Sequence, residues 1–152
     1  MLTYLPKIQR FPIKPKPDMR NIPLMLKKSA PSVLVVDDEA LIRWSVAEML
    51  GERGYAVTEA SNALMAVAAI EKAEEPFDVV LLDYRLPDSA DLRLLEKVRR
   101  LAPTSQVIMI TAHNSPELAQ GAAALGAYRV ISKPFEVESL AALVKQAQLD
   151  RP

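Results

Sequence analysis

The chain reads as an α/β fold: a doubly wound parallel sheet of five strands, in three layers, with helices on both faces. Three observations predict it. Apolar runs at 32–36 (SVLVV) and 79–82 (VVLL) are too short for helices and suit strands buried on both sides. Stretches with helical periodicity separate such runs along the chain. Strands and helices that alternate in this way connect by right-handed crossovers into one parallel sheet.

Each element has a local cause. Ser32 to Val36 is the first strand, ended by Asp37, Asp38 and Glu39. Ala40 to Arg53 follows as a helix, with Leu41, Val46, Met49 and Leu50 at helical spacing and Gly54 as the stop signal. Tyr55 to Glu59 alternates as a strand. Ser61 or Asn62 can cap the next helix, whose Leu64, Val67, Ala68 and Ile70 mark one face. Asp78 to Leu82 is the central strand, with Asp83 directly after it and Pro87 four residues later. Ala90 to Leu101 forms a helix that stops before Pro103. Gln106 to Thr111 is the fourth strand, and Ser115-Pro116 opens a helix that runs to Leu125 before Gly126. Tyr128 to Ser132 is a fifth, less apolar strand, and Phe135 to Leu149 closes as an amphipathic helix.

The flavodoxin-like strand order 2-1-3-4-5 is expected. It makes strands 1 and 3 neighbours, so Asp37, Asp38 and Asp83 meet at the carboxyl edge of the sheet, where ligands of open α/β folds bind. Strands 4 and 5 deliver Thr111 and Lys133 to the same edge.

Composition narrows the chemistry. There is no cysteine, which excludes disulfides and thiolate metal sites, and with a single histidine, His113, no histidine zinc centre is expected. No apolar run approaches the roughly 18 residues of a membrane span, and no signal peptide opens the chain, so the cytoplasm is the expected compartment. A net charge of zero hides an asymmetry: residues 1–30 carry seven Lys/Arg against one acid, while the rest carries 12 basic and 18 acidic side chains. Five prolines also fall in residues 1–30 (Pro6, Pro12, Pro15, Pro17, Pro23), which predicts a basic, Pro-rich, disordered tail before a domain at 31–150. Such a tail either meets an anionic partner or is a plain extension ahead of Met19 or Met25.

Carboxylates that converge at strand ends repel one another unless a cation sits among them. Oxygen ligands without Cys or His point to a hard ion, Mg²⁺ or Mn²⁺. Aspartate is a known nucleophile in phosphoryl transfer, and a hydroxyl (Thr111) with an ammonium (Lys133) can neutralise the transferred group.

The motifs VVDDE, LLDYRLPD, ITA and SKPF resemble the receiver domain of two-component response regulators, and Ile42-Arg43-Trp44 resembles receivers of the nitrogen-regulator type. The likeness spans about residues 31–150 and implies a CheY-like, single-domain phosphoacceptor with its output in trans. By that resemblance Asp83 accepts the phosphoryl group, while Asp38 ligates Mg²⁺ directly, Asp37 through water, and Arg85 through its carbonyl. Thr111 bonds the phosphoryl oxygen, Lys133 pairs with the phosphate, and Lys133–Pro134 is cis. The implied partners are a histidine kinase or phosphotransfer protein and a downstream protein on the 115–149 face. A homodimer through that face is a further option; neither membrane association nor direct nucleic-acid binding by the receiver is expected.

Four departures from the family pattern stand out. Val130 replaces the usual switch aromatic, and Tyr128, two residues earlier, is expected on the same strand face as a partial substitute. Asp91 replaces a glycine, which predicts altered loop angles. Arg85 and His113 occupy the variable positions that tune acyl-phosphate lifetime. Trp44 and the methionines Met49, Met65 and Met109 read as packing residues. The competing reading is a pseudo-receiver, a phosphorylation-independent docking or dimerisation module, favoured by Val130 and opposed by Asp83, Thr111 and Lys133. An aspartate phosphohydrolase would want an acid where Arg85 stands. A dinucleotide-binding domain would want glycines where Asp37-Asp38-Glu39 stand.

Overall fold

A computed structural model describes residues 30–152; the predicted tail lies outside the described residues, apart from Ala30. Five strands, β1 (Ser32–Val36), β2 (Ala56–Ala60), β3 (Val79–Asp83), β4 (Gln106–Thr111) and β5 (Arg129–Ser132), form one sheet in the order β2-β1-β3-β4-β5. All pairings are parallel. Between them run α1 (Ala40–Glu52), α2 (Ala63–Lys72), α3 (Arg93–Leu101) and α4 (Pro116–Ala124), and α5 (Val137–Leu149) follows β5.

Strand alternation sorts the core into two layers. Val33, Val35, Val79, Leu81, Ile108 and Ile110 face α1 and α5, packing on Val46, Met49, Leu50, Leu140, Val144 and Ala147. Leu34, Val36, Val80, Leu82, Val107 and Met109 face α2, α3 and α4, packing on Ala66, Leu94, Leu95, Val98 and Ala122. β3 is buried along its whole length, which is why its sequence is an unbroken apolar run.

Helix starts follow their caps. Asn62 Oδ1 accepts from Met65 N at 2.8 Å, and Ser115 Oγ accepts from Leu118 N at 3.1 Å. α3 begins at Arg93 rather than Ala90 because Asp91 Oδ1 accepts from Arg93 N at 2.9 Å and keeps the preceding residues out of the helix. Asp91 therefore does not need the angles predicted for it: among the described residues only Gly54 and Gly126 have positive φ.

Helical periodicity named some residues on the wrong face. Leu41 and Leu64, expected inside, are 76% and 75% exposed, and Trp44 and Met65, read as packing residues, are 58% and 46% exposed. Met49 and Met109 are buried, as expected of filler.

Replacing Leu81, fully buried at the centre of the sheet, with Ala should cost about 2–5 kcal/mol in urea denaturation. Leu64→Ala should stay within about 0.5 kcal/mol. Equal effects would contradict this assignment of faces.

Candidate functional site

The carboxyl ends of β1, β3, β4 and β5 bring the polar residues together. Asp83 is the last residue of β3, and Thr111, the last of β4, sits beside Ser132 of β5. One residue past β5, Lys133 N donates to Thr111 O at 2.8 Å, and the Lys133–Pro134 bond is cis. The chain turns out of the sheet here, so a long side chain can reach back across three strand ends.

Lys133 Nζ lies 3.1 Å from Asp37 Oδ2, 3.1 Å from Asp83 Oδ2 and 2.9 Å from Glu39 Oε1. Asp37, Asp83 and Thr111 are buried, at 3%, 6% and 2% exposure. Carboxylate oxygens of Asp37, Glu39 and Asp83 fall within 4.8 Å of one another, an oxygen-only donor set that suits a hard divalent cation.

Asp38 departs from expectation. Its side chain is exposed and takes no part in this cluster, whereas Glu39 does. The reason is geometric: the chain bends at Asp38 after β1 ends, and Asp37 and Glu39, on either side of the bend, both reach Lys133. Asp37 Oδ1 also accepts from Glu39 N at 2.8 Å, which fixes that turn.

Burial and the nearby charge of Asp37 push the Asp83 carboxyl up to about 6 from 3.8, while Lys133 and the Arg85 N–H, donating at 3.2 Å, pull it back. For Lys133, burial alone would lower the pKa, but bonds to Glu39, Asp37 and Asp83 outweigh it and hold the ammonium above its ordinary value.

Around this centre, Thr111 Oγ1 accepts from His113 N at 3.1 Å, and the His113 and Arg85 side chains are exposed at the rim. Asp88, in the loop after β3, accepts from Ala63 N at 2.8 Å and Leu64 N at 3.0 Å, tying that loop to the start of α2. Those bonds hold its carboxyl below the usual range. Neither contact is legible in the sequence, because the partners are 24 and 25 residues away.

Tyr128 does not share a strand face with Val130, contrary to expectation. It precedes β5, escapes the strand's alternation and packs with the α1/α5 layer, its hydroxyl donating to Asp150 Oδ2 at 2.6 Å. Val130 packs with the opposite layer.

A family profile described as the response regulator receiver domain matches residues 33–145. The chain belongs to that family. Its relatives include the DNA-binding transcriptional regulator NtrC of Salmonella typhimurium, 36% identical over 115 residues, 76% of this chain and 24% of NtrC. Sporulation initiation phosphotransferase F of Bacillus subtilis is 32% identical over 114 residues, 75% of this chain and 90% of that protein. The receiver thus spans about a quarter of the NtrC relatives and nearly all of the Bacillus protein. Among solved structures, a CheY-like receiver from Methanospirillum hungatei aligns with a TM-score of 0.75 at 34% identity, over 80% of this chain and 96% of that one. The beryllofluoride-activated NtrC4 receiver domain dimer aligns at 0.72 and 35%, over 79% and 98%. No helix among the described residues is long and apolar enough to cross a membrane.

The raised Asp83 pKa has a consequence for stability. The folded state holds a proton on Asp83 that the unfolded chain releases near pH 4, so stability falls as pH rises from about 4 to 6 and stays lower above. In EDTA, Asp83→Asn should therefore be more stable than wild type at pH 7.5, by on the order of 1–3 kcal/mol, with the gain gone near pH 4. A gain that persists at pH 4, or none at 7.5, would contradict this.

Proposed function

We propose that this receiver is a phosphoacceptor in two-component signalling, with Asp83 taking a phosphoryl group from a histidine kinase or phosphotransfer protein. The observation that carries the reading is the convergence of Asp37, Asp83 and Lys133 at the sheet edge, with Asp83 and Asp37 buried. Asp83 is the candidate nucleophile because it alone ends the central strand. Mg²⁺, or Mn²⁺, would be held by Asp37 and Asp83, with the Arg85 carbonyl and Asp38, whose carboxylate is exposed outside the cluster at rest, as further ligands; it would neutralise charge on the transferred group.

Lys133 supplies a fixed positive charge beside Asp83, and Thr111 a hydroxyl on the adjoining strand end; together they receive the phosphoryl oxygens. His113 and Arg85, two residues beyond Thr111 and Asp83, stand where they can admit or exclude the attacking water and so tune the lifetime of the acyl phosphate. The added charge of about −1.5 to −2 shifts a pre-existing equilibrium that is read by a protein partner on the 115–149 face or by a second copy. Val130, lacking a ring, changes how Thr111 movement reaches that face. The domain is a signalling module, and its chemistry is confined to its own phosphorylation and dephosphorylation.

With acetyl phosphate and Mg²⁺, intact mass should rise by one phosphoryl group in wild type and not in Asp83→Asn. Removing Mg²⁺ with EDTA should abolish the gain. Equal labelling of the Asn variant would refute the assignment, and a wild type that never labels would favour the pseudo-receiver.

A further inference from the structure

An ammonium has three N–H donors, and at Lys133 three carboxylates take them: Glu39 at 2.9 Å, Asp37 and Asp83 each at 3.1 Å. A further anion at Lys133 must displace one of the three, and they are unequal. The Asp37 side chain is 5% exposed, so releasing it leaves a buried charge without its counter-ion, and a phosphorylated Asp83 exchanges its single carboxylate charge for the larger one of the phosphoryl group, so that it claims more of Lys133 and not less. The Glu39 side chain is 56% exposed, so water takes over its carboxylate as soon as Lys133 lets go.

The backbone around Glu39 fits such a role. Glu39 N donates to Asp37 Oδ1 at 2.8 Å, and its carbonyl accepts from Arg43 N at 2.9 Å, which anchors the main chain on both sides. The residue stands at the N-cap of α1, yet its side chain makes no cap hydrogen bond. Among the described residues its carboxylate is bonded to Lys133 alone, so no hydrogen bond of helix α1 depends on it.

We propose that Glu39 is a positioning residue: its carboxylate keeps the place at Lys133 that a phosphoryl group on Asp83 takes, and it yields to solvent when that group arrives. The proposal rests on the reading of Asp83 as phosphoacceptor. The exchange is anion for anion, with no covalent bond made or broken at Lys133. Glu39 keeps the ammonium oriented over Asp83 in the unphosphorylated state, and it sets the cost of turning Lys133 over to the phosphoryl group. The opposite assignment, Glu39 as a direct metal ligand, uses the same carboxylate and predicts a different variant phenotype.

The test uses the full chain and beryllofluoride as the phosphoryl mimic, read by fluorine NMR at saturating Mg²⁺, with Mg²⁺ affinity measured separately by calorimetry. Glu39→Gln should bind beryllofluoride about three- to fivefold more tightly than wild type, the scale of one half-exposed ion pair. Glu39→Asp, which keeps the charge, should return toward the wild-type value. Unchanged or weaker beryllofluoride binding by Glu39→Gln would overturn the proposal. A loss of about tenfold or more in Mg²⁺ affinity would overturn it too, in favour of a metal ligand. Wild type must bind the mimic and Asp83→Asn must not. If wild type fails, the phosphoacceptor reading falls and takes this inference with it; if only Glu39→Gln matches wild type, this inference alone falls.

Discussion

Buried negative charge at the carboxyl edge of the sheet is the constraint on which the rest of the site depends. Asp37 and Asp83 are almost entirely withdrawn from water and close enough to repel. Such a pair persists only with a cation between its members. Lys133 supplies that charge here, drawn in by the chain turning after β5. The ammonium and a divalent ion answer the same electrostatic demand, so the pairing that offsets part of this repulsion at rest would also suit a metal and, on the proposed function, a phosphoryl group.

The scaffold makes that arrangement rigid. β3 is buried on both faces, between β1 and β4, so the position of Asp83 is set by two strand pairings and two apolar layers. Thr111 and Lys133 are linked through the backbone at the ends of β4 and β5. The loop after Asp83 is held at its far side by Asp88 on the start of α2. Mobility relevant to signalling is therefore expected of side chains at the edge rather than of the strands beneath.

Most of the fold was legible because strands buried on both faces leave unmistakable apolar runs, and parallel order follows from alternation with helices. The convergence of Asp37, Asp83, Thr111 and Lys133 was legible for the same reason, each lying at a strand end. What escaped was orientation at finer grain. Periodicity says that a helix has two faces, but Leu41 and Leu64 show that it does not say which apolar residues lie on the inner one. Adjacent acids at 37–39 look equivalent in sequence, and only the bend after β1 separates Glu39 from Asp38. Asp91 reads in sequence as a missing glycine, whereas its carboxylate accepts from Arg93 N and closes a turn just ahead of α3. Tyr128 reads as strand, but β5 starts one residue later.

On the proposed function, a divalent cation binds among these strand-end carboxylates. Crystals of the protein grown with Mn²⁺ test it most directly, through the anomalous signal of the metal. A peak is expected within about 2.0–2.3 Å of oxygens from both Asp37 and Asp83. A peak elsewhere on the surface, or none at millimolar Mn²⁺, would contradict it.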